Sequence, residues 1–256
     1  MRYVFEYYTT EGRVKKINQD AVFLMQAETE KGTVLFAAVS DGMGGLARGE
    51  EASARMNRAL AAWFENELPD LVYGDLTMGN FKKSMMKAVY SACSEIMKYA
   101  NGFGAECGTT LAGILLLEGI AYIVNVGDSR IYIKHESLRQ ITKDQTYVQR
   151  EIDLGRMTEE EAKTHKMRSI LLQCVGASDV VIPDWYQEQV EEGDMILLCS
   201  DGFRHIVGAE AMDTYLSNLS TEEEMQKVLE TIAEKSMKAG ERDNITAILI
   251  KVVGDA

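Results

Sequence analysis

Short apolar runs alternate with longer helical patterns along the chain. The runs at 20–26 and 33–40 have the character of buried strands, with a polar turn at 30–32 between them. Apolar side chains then recur at helical spacing from 49 to 68 and again from 78 to 100. Such stripes of methionine and aromatic residues are far more often the buried side of a core helix than a cofactor site.

The second half of the chain repeats the strand pattern. Further strands are predicted near residues 110–117, 121–126, 131–134, 138–141, 185–190, 195–200 and 245–253. A helix from about 221 to 239 begins with the capping-box pattern STEE and stops before Gly240. The polar, acidic stretch 143–169 holds another capping-box pattern, TEEE, at 158–161. Hairpin-like runs of strands with helices in blocks favour an α+β layered fold with antiparallel sheets over a doubly wound one.

The longest apolar stretch, 109–127, has almost the length of a membrane span. It is interrupted by Glu118 and Gly119 and contains Asn125, so it is better interpreted as a buried β-hairpin. No Ser/Gly-rich linker or internal repeat divides the chain. We therefore expect one domain over residues 1–256 and no membrane insertion.

Charge and cysteine usage narrow the class of protein. The formal net charge of −13 argues against nucleic acid or an anionic membrane surface as the partner. An anionic substrate would therefore need local positive charge from side chains or metal. The four cysteines form no CxxC pair, and the N-terminal stretch lacks the apolar core of a signal peptide. The expectation is a reduced, cytoplasmic protein.

Five aspartates each adjoin a strongly apolar strand. They are Asp20, Asp41, Asp128, Asp201 and Asp243. One such aspartate is usually a turn or cap residue, but five shift the balance. If the strand ends converge, the carboxylates repel one another unless a cation neutralises them. Oxygen ligands without cysteine or clustered histidine select Mg²⁺ or Mn²⁺ over zinc, and Gly42 would let a backbone carbonyl approach the same ion.

Six motifs extend this pattern over residues 15–246. In chain order they are INQD, VSDGMGG, CGTT, VNVGDSRIY, LLCSDGF and RDNIT. Each is weak alone, but together they resemble the successive motifs of the metal-dependent protein phosphatase 2C family, particularly its bacterial members. The resemblance implies a four-layer αββα sandwich, in which helices flank two antiparallel β-sheets. It also implies a site for two Mn²⁺ or Mg²⁺ ions at one end of the sandwich.

The resemblance assigns roles to residues of this chain. Asp41 would bridge both metals, and the carbonyl of Gly42 would bind one of them. Asp201 and Asp243 would hold the other metal. Asp20 would act through metal-bound waters.

Further expectations concern the surroundings of the site. Asp128, with Asp201, matches the position of a third, looser metal in bacterial relatives. The segment at about 143–169 would be a mobile flap beside the active site, although it also fits a solvated surface excursion. The substrates would be phosphorylated proteins, with a membrane-anchored Ser/Thr kinase of bacterial signalling as the antagonist.

The implied reaction is hydrolysis of phosphoserine and phosphothreonine by a water activated between two metals, with Asp41, Asp201 and Asp243 at the catalytic centre. Gly42, Gly44 and Gly45 suggest a phosphate-cradling loop instead, but no Lys-Ser/Thr pair follows them. Two alternatives stay open from the sequence. One is an inactive relative that serves as a binding or regulatory module, and the other is a phosphatase of small phosphomonoesters.

Three positions depart from the family pattern. Lys15 stands where the family usually has an arginine that grips the substrate phosphate, and lysine lacks the bidentate fork. Arg13 would share a face with Lys15 if this stretch is a strand, so we predict Lys15 as the main phosphate contact and Arg13 as an auxiliary one. Met43 replaces the histidine of eukaryotic relatives, as in bacterial ones. Gln145 replaces a histidine common in bacterial relatives.

Overall fold

The computed structural model of the chain describes residues 1–44 and 48–254. Its strands are β1 Arg2–Thr10, β2 Asp20–Thr29, β3 Gly32–Gly44, β4 Cys107–Thr109, β5 Leu111–Leu117, β6 Ile120–Val126, β7 Arg130–Lys134, β8 Leu138–Gln140, β9 Asp184–Gln189, β10 Met195–Cys199 and β11 Ile245–Val253. Its helices are α1 Gly49–Asn66, α2 Leu68–Tyr73, α3 Met78–Asn101, α4 Tyr147–Asp153, α5 Glu159–Thr164, α6 Asp201–Arg204, α7 Ala209–Tyr215 and α8 Glu222–Lys238.

The strands form two antiparallel sheets. One sheet has the order β1-β11-β10-β7-β8, and the other has the order β2-β3-β5-β6-β9, with β4 paired to the end of β3. The predicted hairpin at 109–127 is present as β5 and β6. Its turn places Glu118 and Gly119 at φ values of 50° and 75°, the left-handed pair that a two-residue hairpin requires.

The central strands are hydrophobic on both faces because each face packs against a different layer. In β3, Leu35, Ala37 and Val39 face the other sheet, while Phe36 and Ala38 face helices α1 and α3. The first sheet carries α8 on its outer side, where β10 and β11 pack against that helix. The predicted sandwich of two antiparallel sheets between helices is confirmed.

The helical stripes of the sequence are the buried faces of α1 and α3. Met56, Leu60, Phe81 and Met85 are fully buried there. The capping box predicted at 158–161 is present at the start of α5. In α8 the cap lies one residue later than the STEE pattern suggested, because the side chain of Thr221 and the N3 residue Glu224 form it.

Several elements were not predicted. Strand β1 pairs only with β11, at the edge of its sheet, so most of its residues are half-exposed and its pattern is weak. Helices α2, α6 and α7 have four to seven residues, too few to display a helical period. Strand β3 does not end at Asp41 as expected. It continues to Gly44 by pairing with β4 instead of β5.

Candidate functional site

All five predicted aspartates lie at one end of the sandwich. Asp20 and Asp41 are direct partners across the β2–β3 ladder, and the start of β11 lies beside the end of β10. Burial raises the pKa of Asp41 well above its usual value, and Asp20, Asp201, Asp128 and Asp243 raise it further by charge repulsion. The chain therefore gathers these carboxylates within electrostatic reach of one another.

Two of the carboxylates show the cost of this arrangement clearly. Burial raises the pKa of Asp20 to about 6, although the hydroxyls of Ser200 and Thr246 oppose the shift. Its Oδ2 accepts a 2.8 Å hydrogen bond from Ser200 Oγ, while its buried Oδ1 has no hydrogen-bond partner within the described ranges. Burial, followed by the charge of Asp201, raises the pKa of Asp128 to about 7. Crowded carboxylates, one of which has a buried oxygen without a hydrogen-bond partner, are suited to divalent cations of the Mg²⁺ or Mn²⁺ type.

The carboxylates of the described residues are not arranged as a complete coordination sphere for a metal ion. Over residues 1–44 and 48–254, no three histidine, cysteine, aspartate or glutamate side chains surround a common point as metal ligands would. Asp20 and Asp41 face each other across the β2–β3 ladder, and neighbouring aspartates raise the pKa values of both by charge repulsion. The assignment of each aspartate to an ion accordingly stays a prediction.

The CGTT motif holds Asp41 in place. The backbone N–H of Asp41 donates to Thr110 Oγ1 at 2.8 Å, and its carbonyl accepts from the Thr110 N–H at 2.9 Å and from Thr109 Oγ1 at 3.0 Å. Thr110 Oγ1 also lies 2.7 Å from Ser129 Oγ, next to Asp128. The threonines are fully buried, so the motif serves as a support for the carboxylates.

This support leads to a prediction for Thr110. We expect Thr110→Val, which keeps the shape and removes the hydroxyl, to lower the free energy of unfolding by about 1–3 kcal/mol, because the Asp41 N–H loses its acceptor in a buried site. Urea unfolding checks this, with Thr110→Ser as the control that keeps the oxygen. A valine variant as stable as the serine variant would contradict the role of this hydrogen bond.

The glycines beside the aspartates are needed for close backbone contact. A methyl group on Gly42 would lie 2.1 Å from the carbonyl oxygen of Gly49, and one on Gly202 would lie 2.1 Å from the carbonyl oxygen of Asn244. The Asp41–Gly42 step therefore packs on the start of α1, and the Asp201–Gly202 step packs on the residue after Asp243. Gly45 lies outside the described residues.

Asn244 joins the loop before β2 to the start of β11. Its Oδ1 accepts from the Gln19 N–H at 3.0 Å, and its Nδ2 donates to the carbonyls of Glu11 and Ile17 at 3.2 and 3.1 Å. This loop carries Lys15 and leads directly into Asp20. Sequence reasoning used RDNIT only to locate Asp243 and missed the positioning role of its asparagine.

Lys15 and Arg13, the two cations predicted to bind phosphate, lie in different surroundings. Lys15 Nζ lies 3.0 Å from Asp243 Oδ1. Burial lowers the pKa of Lys15, but Asp243, Asp41 and Asp201 outweigh that effect and raise it. The premise that placed Arg13 beside Lys15 was wrong, because residues 11–19 form turns and coil, not a strand. Arg13 is exposed, and its charge acts instead on Glu234 of α8.

A buried ionic network that was not predicted borders Asp128. Arg130 donates to both carboxylate oxygens of Asp144 at 2.7 and 2.8 Å. Arg204 donates to the Asp128 carbonyl at 2.8 Å and lies 3.4 Å from Asp144 Oδ2. The sequence signal that could have indicated this network is Arg204, which lies three residues after Asp201 on the same helical turn.

Gln145 anchors the beginning of the 143–169 segment. Its backbone N–H and its side-chain Oε1 bond to the carbonyl and the N–H of Gly127, at 2.9 and 2.8 Å. Its Nε2 donates to Asp184 Oδ2 at 2.8 Å. The glutamine thus provides both a donor and an acceptor where the segment leaves the sheet next to Asp128.

Comparison with known proteins agrees with this architecture. The family model described as Protein phosphatase 2C matches residues 10–249. The serine/threonine phosphatase stp of Listeria innocua is 31% identical over 254 residues, which cover 96% of this chain and 94% of that protein. A crystal structure of the serine/threonine phosphatase PstP/Ppp of Mycobacterium tuberculosis superposes with a TM-score of 0.82 at 31% identity, covering 98% of this chain and 99% of that one.

Two further solved structures are similar. Stp1 from Staphylococcus aureus superposes with a TM-score of 0.86 at 26% identity, covering 99% of this chain and 96% of that chain. The catalytic domain of PstP in complex with two manganese ions superposes with a TM-score of 0.80 at 31% identity, covering 98% of this chain and 99% of that chain. The family match spans nearly the whole length, and the sandwich and the order of the motifs are those that the resemblance implied. The chain belongs to the protein phosphatase 2C family.

Proposed function

We propose that this chain is a metal-dependent protein phosphatase that hydrolyses phosphoserine and phosphothreonine in phosphorylated proteins. The observation that carries the proposal is the meeting of five aspartates, each from a different family motif, at one end of the sandwich. The family match and the serine/threonine phosphatases that are similar over nearly the whole chain support the same reaction.

The site suits two Mn²⁺ or Mg²⁺ ions. Asp41, the Gly42 carbonyl, Asp201 and Asp243 would hold them, and Asp20 would take part through water. The two manganese ions in the similar PstP structure support this assignment. When bound, such ions supply an activated water and positive charge for the phosphoryl oxygens.

Residues of this chain prepare the site for a phosphate monoester. The protein has a formal net charge of −13, so a dianionic substrate needs a local cation. Lys15, whose side chain is 40% exposed, offers an ammonium group among the carboxylates. A lysine attracts phosphate as a point charge and orients it less strictly than an arginine fork does.

Lys15 leads to a second prediction. We expect Lys15→Ala to raise KM for a phosphothreonine peptide about tenfold, because one charge-assisted contact contributes on the order of 1.5 kcal/mol. Arg13→Ala is the matched control and should leave KM unchanged, since Arg13 acts on Glu234. A rise in KM for the Arg13 variant alone would show that the phosphate contacts Arg13 and not Lys15.

The surroundings of the reaction are proposed from the same resemblance. The segment at 143–169, which contains α4 and α5, would act as the flap of a single catalytic domain. A bacterial Ser/Thr kinase would supply the phosphorylated substrates and oppose the enzyme. We also propose a cytoplasmic location, because all four cysteines are free thiols. In the described ranges, no helix has both the length and the apolar composition that crossing a membrane requires.

The proposal is tested with the purified protein and three substrates. Mn²⁺ should stimulate hydrolysis of p-nitrophenyl phosphate and of a phosphothreonine peptide, and a chelator should abolish it. Rates on sugar phosphates should be much lower than on the peptide. Absence of metal-dependent hydrolysis would favour an inactive binding module, and faster turnover of sugar phosphates would favour a small-molecule phosphatase.

A further inference from the structure

Arg204 is the feature of this site that the family resemblance did not lead us to expect. It follows Asp201 by three residues on α6, and its side chain is only 12% exposed. Its Nη2 donates to the carbonyl of Asp128 at 2.8 Å and lies 3.9 Å from Asp128 Oδ2 and 3.4 Å from Asp144 Oδ2. The guanidinium therefore faces both the backbone and the carboxylate of Asp128.

Two guanidinium groups offset much of the negative charge around Asp128. Asp144 makes a two-pronged contact with Arg130, and Arg204 lies between Asp144 and Asp128. Two guanidinium groups thus face two carboxylates, all in side chains that are at most 24% exposed. Asp201 also acts on Asp128 by its charge, so the group carries one net negative charge. A divalent ion added at Asp128 would leave one excess positive charge beside the Arg204 guanidinium, which is unfavourable at low dielectric.

Arg204 cannot become neutral by losing a proton, because an arginine stays charged in proteins. A cation bound to the carbonyl or to Oδ2 of Asp128 would have to displace the guanidinium, because Arg204 Nη2 lies 2.8 Å and 3.9 Å from these two oxygens. Displaced, Arg204 would leave its partner Asp144 with Arg130 alone. Asp128 and Arg204 consequently do not fit the looser third ion that the resemblance implies.

We propose that Arg204 is a positioning residue that serves as the resident cation of Asp128. It confines divalent ions to the group formed by Asp20, Asp41, Asp201 and Asp243, so that the protein binds two ions and not three. This inference rests on the proposed function, because it presupposes a divalent-metal site. It concerns how many ions the chain holds and which carboxylates hold them.

The first test uses Mn²⁺ alone as the probe. Isothermal titration calorimetry should find two Mn²⁺ ions in the unmodified protein and the same two in Asp128→Asn. Loss of one ion in Asp128→Asn would overturn the inference. Binding of a third ion by the unmodified protein at Asp128 would overturn it as well.

The second test removes the resident cation. Arg204→Met should gain one additional, weaker Mn²⁺ site, and the double variant with Asp128→Asn should lose it again. Arg204→Lys retains the charge and should bind two ions. A folded Arg204→Met protein that binds only two ions would overturn the inference. If circular dichroism shows that this variant does not fold, the Asp128→Asn titration decides alone.

These outcomes separate the inference from the proposed function. A protein that binds no Mn²⁺ in any variant would overturn both. A Mn²⁺-dependent phosphatase whose Asp128→Asn variant loses an ion would overturn only the assignment of Arg204.

Discussion

Replacing Asp201 by asparagine is expected to reduce Mn²⁺-dependent phosphatase activity roughly 10³-fold, the order of loss seen when a preorganised electrostatic group is removed. Asp201 is the central carboxylate of the group, since its charge raises the pKa values of Asp20, Asp41 and Asp128. Its removal therefore disturbs three further predicted ligands at once. Hydrolysis of p-nitrophenyl phosphate over a Mn²⁺ titration measures the effect.

Stability distinguishes loss of the site from loss of the fold. Burial raises the pKa of Asp201, so its ionised form costs free energy in the folded protein without metal. In a chelator, Asp201→Asn should be at least as stable as the unmodified protein near neutral pH. Added Mn²⁺ should stabilise the unmodified protein and not the variant.

Asp70→Asn, an exposed position on α2, is the control for activity. Substantial Mn²⁺-dependent activity in Asp201→Asn would remove this residue from the centre.

Replacing Gly42 by alanine is expected to have the largest effect on the fold near the site. The new methyl group would lie 2.1 Å from the carbonyl oxygen of Gly49 and 2.5 Å from that of Gln19. Both obstacles are backbone, so α1 or the loop before β2 must move. We expect a loss of about 3 kcal/mol in the free energy of unfolding, at the upper end of the range for overpacking, together with loss of activity.

Gly79→Ala is the matched control for this change. Gly79 lies in the first turn of α3, and a methyl group there would meet nothing closer than 3.9 Å. This variant should be as stable as the unmodified protein or more stable, by up to about 1 kcal/mol, because alanine favours a helix over glycine. A Gly42→Ala protein with unchanged unfolding and activity would mean that β3 and α1 separate at little cost.

Local patterns predicted most of the fold because each central element has a face that must be buried. Strands β5 and β6 were recognisable from their apolar runs and from the turn at Glu118 and Gly119. The edge strand β1 and the short helix α6 lack such a period, so their positions depend on neighbours that are remote in sequence. The same limit applies to Arg13, whose predicted place beside Lys15 was conditional on a strand where the chain forms turns.

The sequence by itself determined the order of the elements, the apolar faces that assemble the sandwich, and the aspartates that end up beside one another. Those features are local, because an apolar run and the acidic residue that follows it are read along a single strand. Only the tertiary structure decided that the threonines of CGTT hold Asp41, that Lys15 lies beside Asp243, and that Arg204 faces Asp128. Such contacts join residues that are far apart along the chain, and their geometry exists only once the two sheets have packed together.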